Sequence, residues 1–238
     1  MSCTASRRPP PSDSPACTLS EMCRILLLHN PDGLKPDEYL EAFSQICKNS
    51  REYQGHGWGC AWLDGDNAWQ MYHDISPVWL DTNRDFPETS LFLAHARSAF
   101  RDEGIQVENN MPFQVADRVF LFNGELHGVR VKAEGRIGAE KIFNYLLRFD
   151  KGDLNEAVRR GTEIIEKRTR YVRAMNFFLA TRDAVQVFSL YNEDADYFQM
   201  HQAHHDETHV VCSGPLPIAG CTDWSVIPNR SLINLNLS

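Results

Sequence analysis

The 238-residue chain predicts an α+β fold, a four-layer αββα sandwich of two mostly antiparallel sheets flanked by helices. Three observations carry this. A short apolar run near residue 24 is followed, after a turn cluster, by an amphipathic helical segment. Several strand-like segments are joined by tight turn signals rather than by crossover helices. Two helical segments then sit together in the middle of the chain, with more hairpin-like strands after them.

Taken in order, residues 24–29 form a continuous apolar run that ends in the turn cluster His29-Asn30-Pro31-Asp32-Gly33, as a buried strand would. "DEYLEAFSQICKNS" (37–50) puts Leu40, Phe43, Ile46 and Cys47 on one helical face, with acids in its first turn. "GWGCAWLDG" and "NAWQMYHD" read as two strands around Asp64-Gly65-Asp66, and 91–100 and 118–126 are further strands. Residues 138–149 repeat Ile142, Phe143, Leu146 and Leu147 at helical spacing. A second helix is expected over 153–172, with Asp153 as cap and Glu156 three residues on. "AMNFFLATRD" and "AVQVFSLYN" form a hairpin through Thr181-Arg182-Asp183, and the remainder reads as strand, loop, strand. No internal repeat is present.

Composition narrows the function. Hydrophobic residues make up 42% and aromatics 11%, enough for a sizeable core. No run of 18 or more apolar residues occurs, so no membrane span is expected. A formal net charge of −8 and the lack of a basic stripe argue against a nucleic-acid partner. The seven cysteines are odd in number, lack paired C-x-x-C spacing and follow no secretory signal, which points to a reducing, cytoplasmic setting without disulfides. The basic run in 159–173 alternates with acids and reads as a solvated helix face. His201, His204, His205 and His209 could bind zinc at such spacing. A solvated polar loop is the preferred reading, and neither metal nor cofactor is expected. Residues 1–21 are rich in Ser and Pro and poor in apolar bulk. Residues 1–22 are expected to be a disordered leader, a pro-segment or an upstream start, and 23–238 the domain.

Cys23 directly follows Met22. Freed of what precedes it, it would carry a thiol and an α-amine whose pKa of about 7.7–8 suits it as base for that thiol. Alone, it could equally be a small buried residue at a strand start. Further along come Gly57-Trp58-Gly59, His95-Ala96-Arg97, Asn109-Asn110-Met111-Pro112-Phe113 and Phe122-Asn123-Gly124. Together with the cysteine, these segments resemble the class II glutamine amidotransferases, members of the N-terminal nucleophile (Ntn) hydrolases, and their small standalone branch in particular. That branch carries Met-Cys-Arg, D-G-W-G, H-x-R-x-A, N-x-H-P-F, H-N-G, a D-S/T-E helix start, S-E-P-L and a late Trp strand. The resemblance runs from Met22 to about residue 230.

It implies the Ntn-hydrolase sandwich and a set of roles. Cys23 attacks the carboxamide of a γ-glutamyl amide and forms a thioester. Asn123 and the Gly124 N–H stabilise the oxyanion. Arg97, with Ser98 beside it, grips the substrate α-carboxylate, a bidentate task suited to guanidinium. Trp58 and Gly59 belong to the substrate-binding set, although this segment could equally be core packing. An ordinary salt bridge for Arg97 and an ordinary turn at Asn123-Gly124 are the bland alternatives.

Departures from the pattern bear on the substrate. The D-S/T-E aspartate, which would meet the α-ammonium, is Gly138. Phe122, Met111 and His56 stand where the family has His, His and Asp, and S-E-P-L is Ser213-Gly214-Pro215-Leu216. The expectation is amide chemistry on a small γ-glutamyl metabolite other than free glutamine, with an acylated, modified or exposed α-amine, unless Glu125 or Glu140 replaces the lost charge. The alternatives are a glutaminase subunit feeding a separate synthase and an inactive scaffold relative.

Overall fold

The computed structural model describes residues 22–99 and 104–237. The first half comprises β1 (Arg24–Leu34), α1 (Asp37–Lys48), β2 (Trp58–Leu63), β3 (Trp69–Asp74) and β4 (Thr89–Ala96). After a 3-10 turn at Val107–Asn109 come β5 (Phe113–Val115), β6 (Arg118–Val129), α2 (Gly138–Leu147) and α3 (Leu154–Lys167). The chain continues through β7 (Thr169–Ala180), β8 (Ala184–Ser189), the one-turn α4 (Ala195–Phe198), β9 (His201–His205), β10 (Thr208–Cys212), β11 (Ser225–Val226) and β12 (Ser231–Asn236).

The strands form a seven-stranded sheet, β11-β9-β10-β1-β4-β2-β3, and a five-stranded sheet, β12-β8-β7-β6-β5. The ladders among the described residues are antiparallel. Side-chain alternation makes the layers. On β1, Ile25 and Leu27 pack with Leu121, Phe178 and Val187 of the other sheet, forming the layer between the sheets. Their neighbours Leu26 and Leu28 face Leu40 and Phe43 of α1 on the outer side. On β6, Phe120 and Phe122 face α2 and α3, meeting Phe143, Leu146 and Val158. The order α1, sheet, sheet, α2/α3 is the expected αββα sandwich. Both faces of each central strand are buried, so those strands read as apolar runs rather than alternating ones.

Local signals explain the elements. The expected side of α1 is buried through Leu40, Phe43 and Cys47. The Asp153 side chain caps α3 by accepting from the Glu156 N–H at 2.9 Å. The Asp64 carboxylate ties the β2–β3 turn by accepting from the N–H groups of Asp66 and Ala68, both at 2.9 Å. Two expectations are corrected. The helix predicted over 153–172 stops at Lys167, because β-branched and aromatic Thr169, Tyr171 and Val172 pair with Val129, His127 and Leu126 of β6. The His-rich segment is strand β9 paired to β10, not a loop, with His204 stacked on His209 at 4.6 Å. Among the described residues no group of three ligands could hold a metal, and no helix is long and apolar enough to cross a membrane.

Candidate active site

Strand parity brings the key residues together. Cys23, just before β1, shares the parity of Ile25 and Leu27, which fill the layer between the sheets. Asn123 shares the parity of Val119 and Leu121 on β6, and Arg97, just beyond β4, that of Leu91 and Leu93, all four of which pack in that layer. β6 packs across the sandwich on both β1 and β4. Cys23, Arg97, Ser98, Gly124 and Gly138 line one open cleft of about 1300 Å³.

Cys23 is partly exposed, and its thiol donates to the Ser98 carbonyl at 3.7 Å. The other described cysteines lie outside the cleft. Burial pushes the thiols of Cys47 and Cys60 well up and that of Cys212 to about 12, holding them protonated and unreactive. Arg24, the next residue, anchors the strand end. Its guanidinium donates to the Ser213 carbonyl at 2.5 Å and lies 4.1 Å over the Tyr197 ring, while the Ile25 N–H donates to Ser213 Oγ at 3.1 Å.

Arg97 is buried, and its backbone is clamped. Its N–H donates to Gly57 O at 2.9 Å, its carbonyl accepts from the His56 N–H at 3.1 Å, and the Ala99 N–H donates to His56 Nδ1 at 2.8 Å. Gly57 makes this clamp from a left-handed conformation (φ +104°), where a Cβ would also strike the Asn110 side chain. Beside Arg97, burial and that guanidinium lower the His95 pKa to about 3, so the imidazole stays neutral.

Asn123 is fully buried, and neither its amide nitrogen nor its oxygen has a partner among the described residues. A buried amide left unsatisfied costs about 1–3 kcal/mol, so Asn123 stands out among the buried polar groups. Asn123-Gly124 lies within β6, opposite Asn176 and Met175, and is not a turn. Gly124 is required sterically, since a Cβ there would run into the Ala174 carbonyl.

Trp58 and Gly59 depart from expectation. Trp58 points to the outer face of its sheet, packs among the residues under α1, and donates Nε1–H to Asp81 at 2.9 Å. A Cβ on Gly59 would meet the Met111 carbonyl at 2.6 Å, so this glycine lets the 109–113 segment pack closely. Neither lines the cleft. The two acids offered as alternative replacements for the missing aspartate make other contacts. Glu140 holds the Arg136 guanidinium and backbone N–H, and Glu125 accepts from Arg173 at 3.0 Å and pairs with His127 at 2.5 Å.

Two groups escaped the sequence reading. The Met22 carbonyl accepts from Gln54 Nε2 at 2.5 Å and from Tyr197 Oη at 2.8 Å, all three residues being buried. Gln54 and Tyr197 are 143 residues apart and match no local pattern, so only the fold reveals the pair.

Comparison places this architecture among known folds. A glutamine aminotransferase class-II domain protein from Silicibacter pomeroyi superposes with a TM-score of 0.59 at 16% identity, over 89% of this chain and 94% of that one. The glutamine phosphoribosylpyrophosphate amidotransferase of B. subtilis gives 0.61 at 13% identity, over 91% of this chain and 49% of that one, so the match spans about half of the longer enzyme. A protein described as a predicted glutamine amidotransferase from Pseudomonas aeruginosa PA01 gives 0.53 at 14% identity, over 91% and 94%. The chain therefore has the fold of the class II glutamine amidotransferases. No protein-family model and no curated protein sequence matches it.

Proposed function

We propose that this chain is an Ntn amidohydrolase that cleaves a γ-glutamyl-type amide through Cys23. The observation that carries the reading is one cleft lined by a partly exposed thiol, a buried arginine and Gly124, whose neighbour Asn123 is a buried amide with no partner among the described residues. Arg97 takes the substrate α-carboxylate. The Cys23 thiol adds to the carboxamide carbon, and Asn123 with the Gly124 N–H receives the oxyanion. Collapse breaks the C–N bond and releases ammonia or an amine, which takes up the proton that the Cys23 α-amine accepted from the thiol. Water then adds to the thioester and restores the thiol. One oxyanion donor of this kind is worth on the order of 10²–10³ in rate.

The base in this scheme is the α-amine of Cys23, so the Met22–Cys23 bond must be absent in the working enzyme. The Gln54 and Tyr197 donors on the Met22 carbonyl would stabilise the oxyanion of a thiol attack there. Residues up to Met22 are therefore read as a removable leader. With Gly138 in place of the family acid, and with Glu125 and Glu140 engaged by Arg173, His127 and Arg136, the α-ammonium of free glutamine lacks the family partner, and the substrate differs from it.

The test is ammonia or amine release from γ-glutamyl amides by the parent protein and by Cys23→Ala. Loss of turnover in the variant is expected, and unchanged turnover contradicts the assignment. Ammonia release only in the presence of a second protein would favour the glutaminase-subunit reading.

A further inference from the structure

The cleft is larger than a γ-glutamyl group needs. Pockets for whole drug-sized ligands span about 300–1,000 Å³, and this one reaches about 1300 Å³. Gly138 lines the cleft, at the end of the substrate that carries its α-nitrogen on the proposed reading. A Cβ built on Gly138 meets nothing within 4 Å, so that end is open space. The wall beyond it is apolar: Val131, Ala133 and Ile137 pack against the α2/α3 core, and Ile142 belongs to it. The rim is positive. Five cations line the cleft against the two acids Glu125 and Glu134. Arg97 has an assigned task and Arg136 is paired with Glu140. Arg148 donates to the Lys132 carbonyl at 2.8 Å and lies over the Tyr145 ring, which leaves Lys132 and Lys141 beside the apolar wall.

A site meant for a bare α-ammonium would present a carboxylate at this point, and the surrounding charge here repels an ammonium. We infer that the region is a second subsite, which takes an acyl group on the substrate α-nitrogen. The substrate is then an N-acylated glutamine or γ-glutamyl amide whose acyl chain is apolar next to the nitrogen and ends in an anion. Acylation removes the charge that Gly138 cannot match. The chain covers the wall of Val131, Ala133 and Ile137, and its terminal carboxylate or similar group meets Lys132 and Lys141. Chemistry at Cys23 is unchanged: water cleaves the side-chain amide, giving the N-acylated glutamate and ammonia. This inference rests on the proposed amidohydrolase reading for the position of the α-nitrogen.

The test is a panel of glutamine, N-acetylglutamine, N-octanoylglutamine and a glutamine acylated by one end of an eight-carbon dicarboxylic acid. Turnover by the parent protein is read beside binding to Cys23→Ala by calorimetry. Each buried methylene should raise kcat/KM about fourfold, so the octanoyl amide should exceed the acetyl amide at least tenfold and free glutamine by more. The dicarboxylic derivative should be best. Lys132→Glu/Lys141→Glu should lower its kcat/KM relative to the octanoyl amide at least tenfold. Gly138→Asp should shift preference toward free glutamine. Turnover that is fastest on free glutamine overturns the subsite and leaves the catalytic reading standing. Acyl-dependent binding to Cys23→Ala, with no turnover in the parent, supports the subsite and sinks the hydrolase reading. Equal binding of all four amides overturns the subsite on its own.

Discussion

Asn123 should trade stability for activity. Its amide is fully buried with nitrogen and oxygen both without partners among the described residues. Replacing it by Leu, which has a similar shape, removes a buried polar group and leaves no other group orphaned. An unsatisfied buried polar group costs about 1–3 kcal/mol. Imperfect fit of a branched side chain offsets part of that, leaving a net stabilisation of about 1–2 kcal/mol. In a chain of this size each kcal/mol moves Tm by about 2–4 °C, so Asn123→Leu should melt about 2–8 °C above the parent. Amide hydrolysis should fall about 10²–10³-fold, mainly in kcat, because an oxyanion donor acts in the transition state. The assays are thermal unfolding of matched preparations and steady-state kinetics on the best amide. A lower Tm would mean that Asn123 holds the fold together. Unchanged kcat would remove it from the oxyanion site.

The remaining predictions probe other parts of the account. Gly124→Ala forces a methyl against the Ala174 carbonyl and should shift β6 from β7, lowering both Tm and turnover. Normal activity there would show that the backbone N–H does not need its present position. Trp58→Phe loses the Nε1–H bond to Asp81 and should cost about 1–3 kcal/mol in denaturant unfolding, with KM unchanged; a large KM change would put Trp58 back in the cleft. His95 makes stability depend on pH. Its folded pKa is about 3 and the unfolded value about 6.5. The unfolded chain thus takes up a proton that the native state refuses, and stability is lost as pH falls below 6.5. Each pH unit is worth 1.36 kcal/mol, so about 2 kcal/mol should go between pH 6.5 and 5. His95→Leu should flatten that slope, and an unchanged slope would assign it to other groups.

The order of elements was legible where the local signals agreed with the packing. The apolar runs 24–29 and 118–122 are buried on both faces, the helix over 37–48 shows one stripe, and Asp153 caps as its pattern suggests. The end of α3 was not legible. "RTRYV" continues the charge pattern of the helix, and only pairing with β6 turns it into strand. Of the expected site residues, Cys23, Arg97, Ser98, Gly124 and Gly138 line one cleft, and Asn123 lies buried beside Gly124. Trp58 does not line it, because one step of parity separates the layer between the sheets from the face under α1. Motif spacing carries no information on that step until the register of β2 with β4 is known. Gln54 and Tyr197 were invisible for a different reason: their role comes from contacts across the whole chain with a single carbonyl.

The central claim is that Cys23 works as an N-terminal residue. Intact-mass measurement on the natively produced protein, paired with its specific activity on a γ-glutamyl amide, tests this most directly. The account predicts that turnover tracks the fraction of molecules beginning at Cys23. Full activity in protein that retains the Met22–Cys23 bond would contradict it.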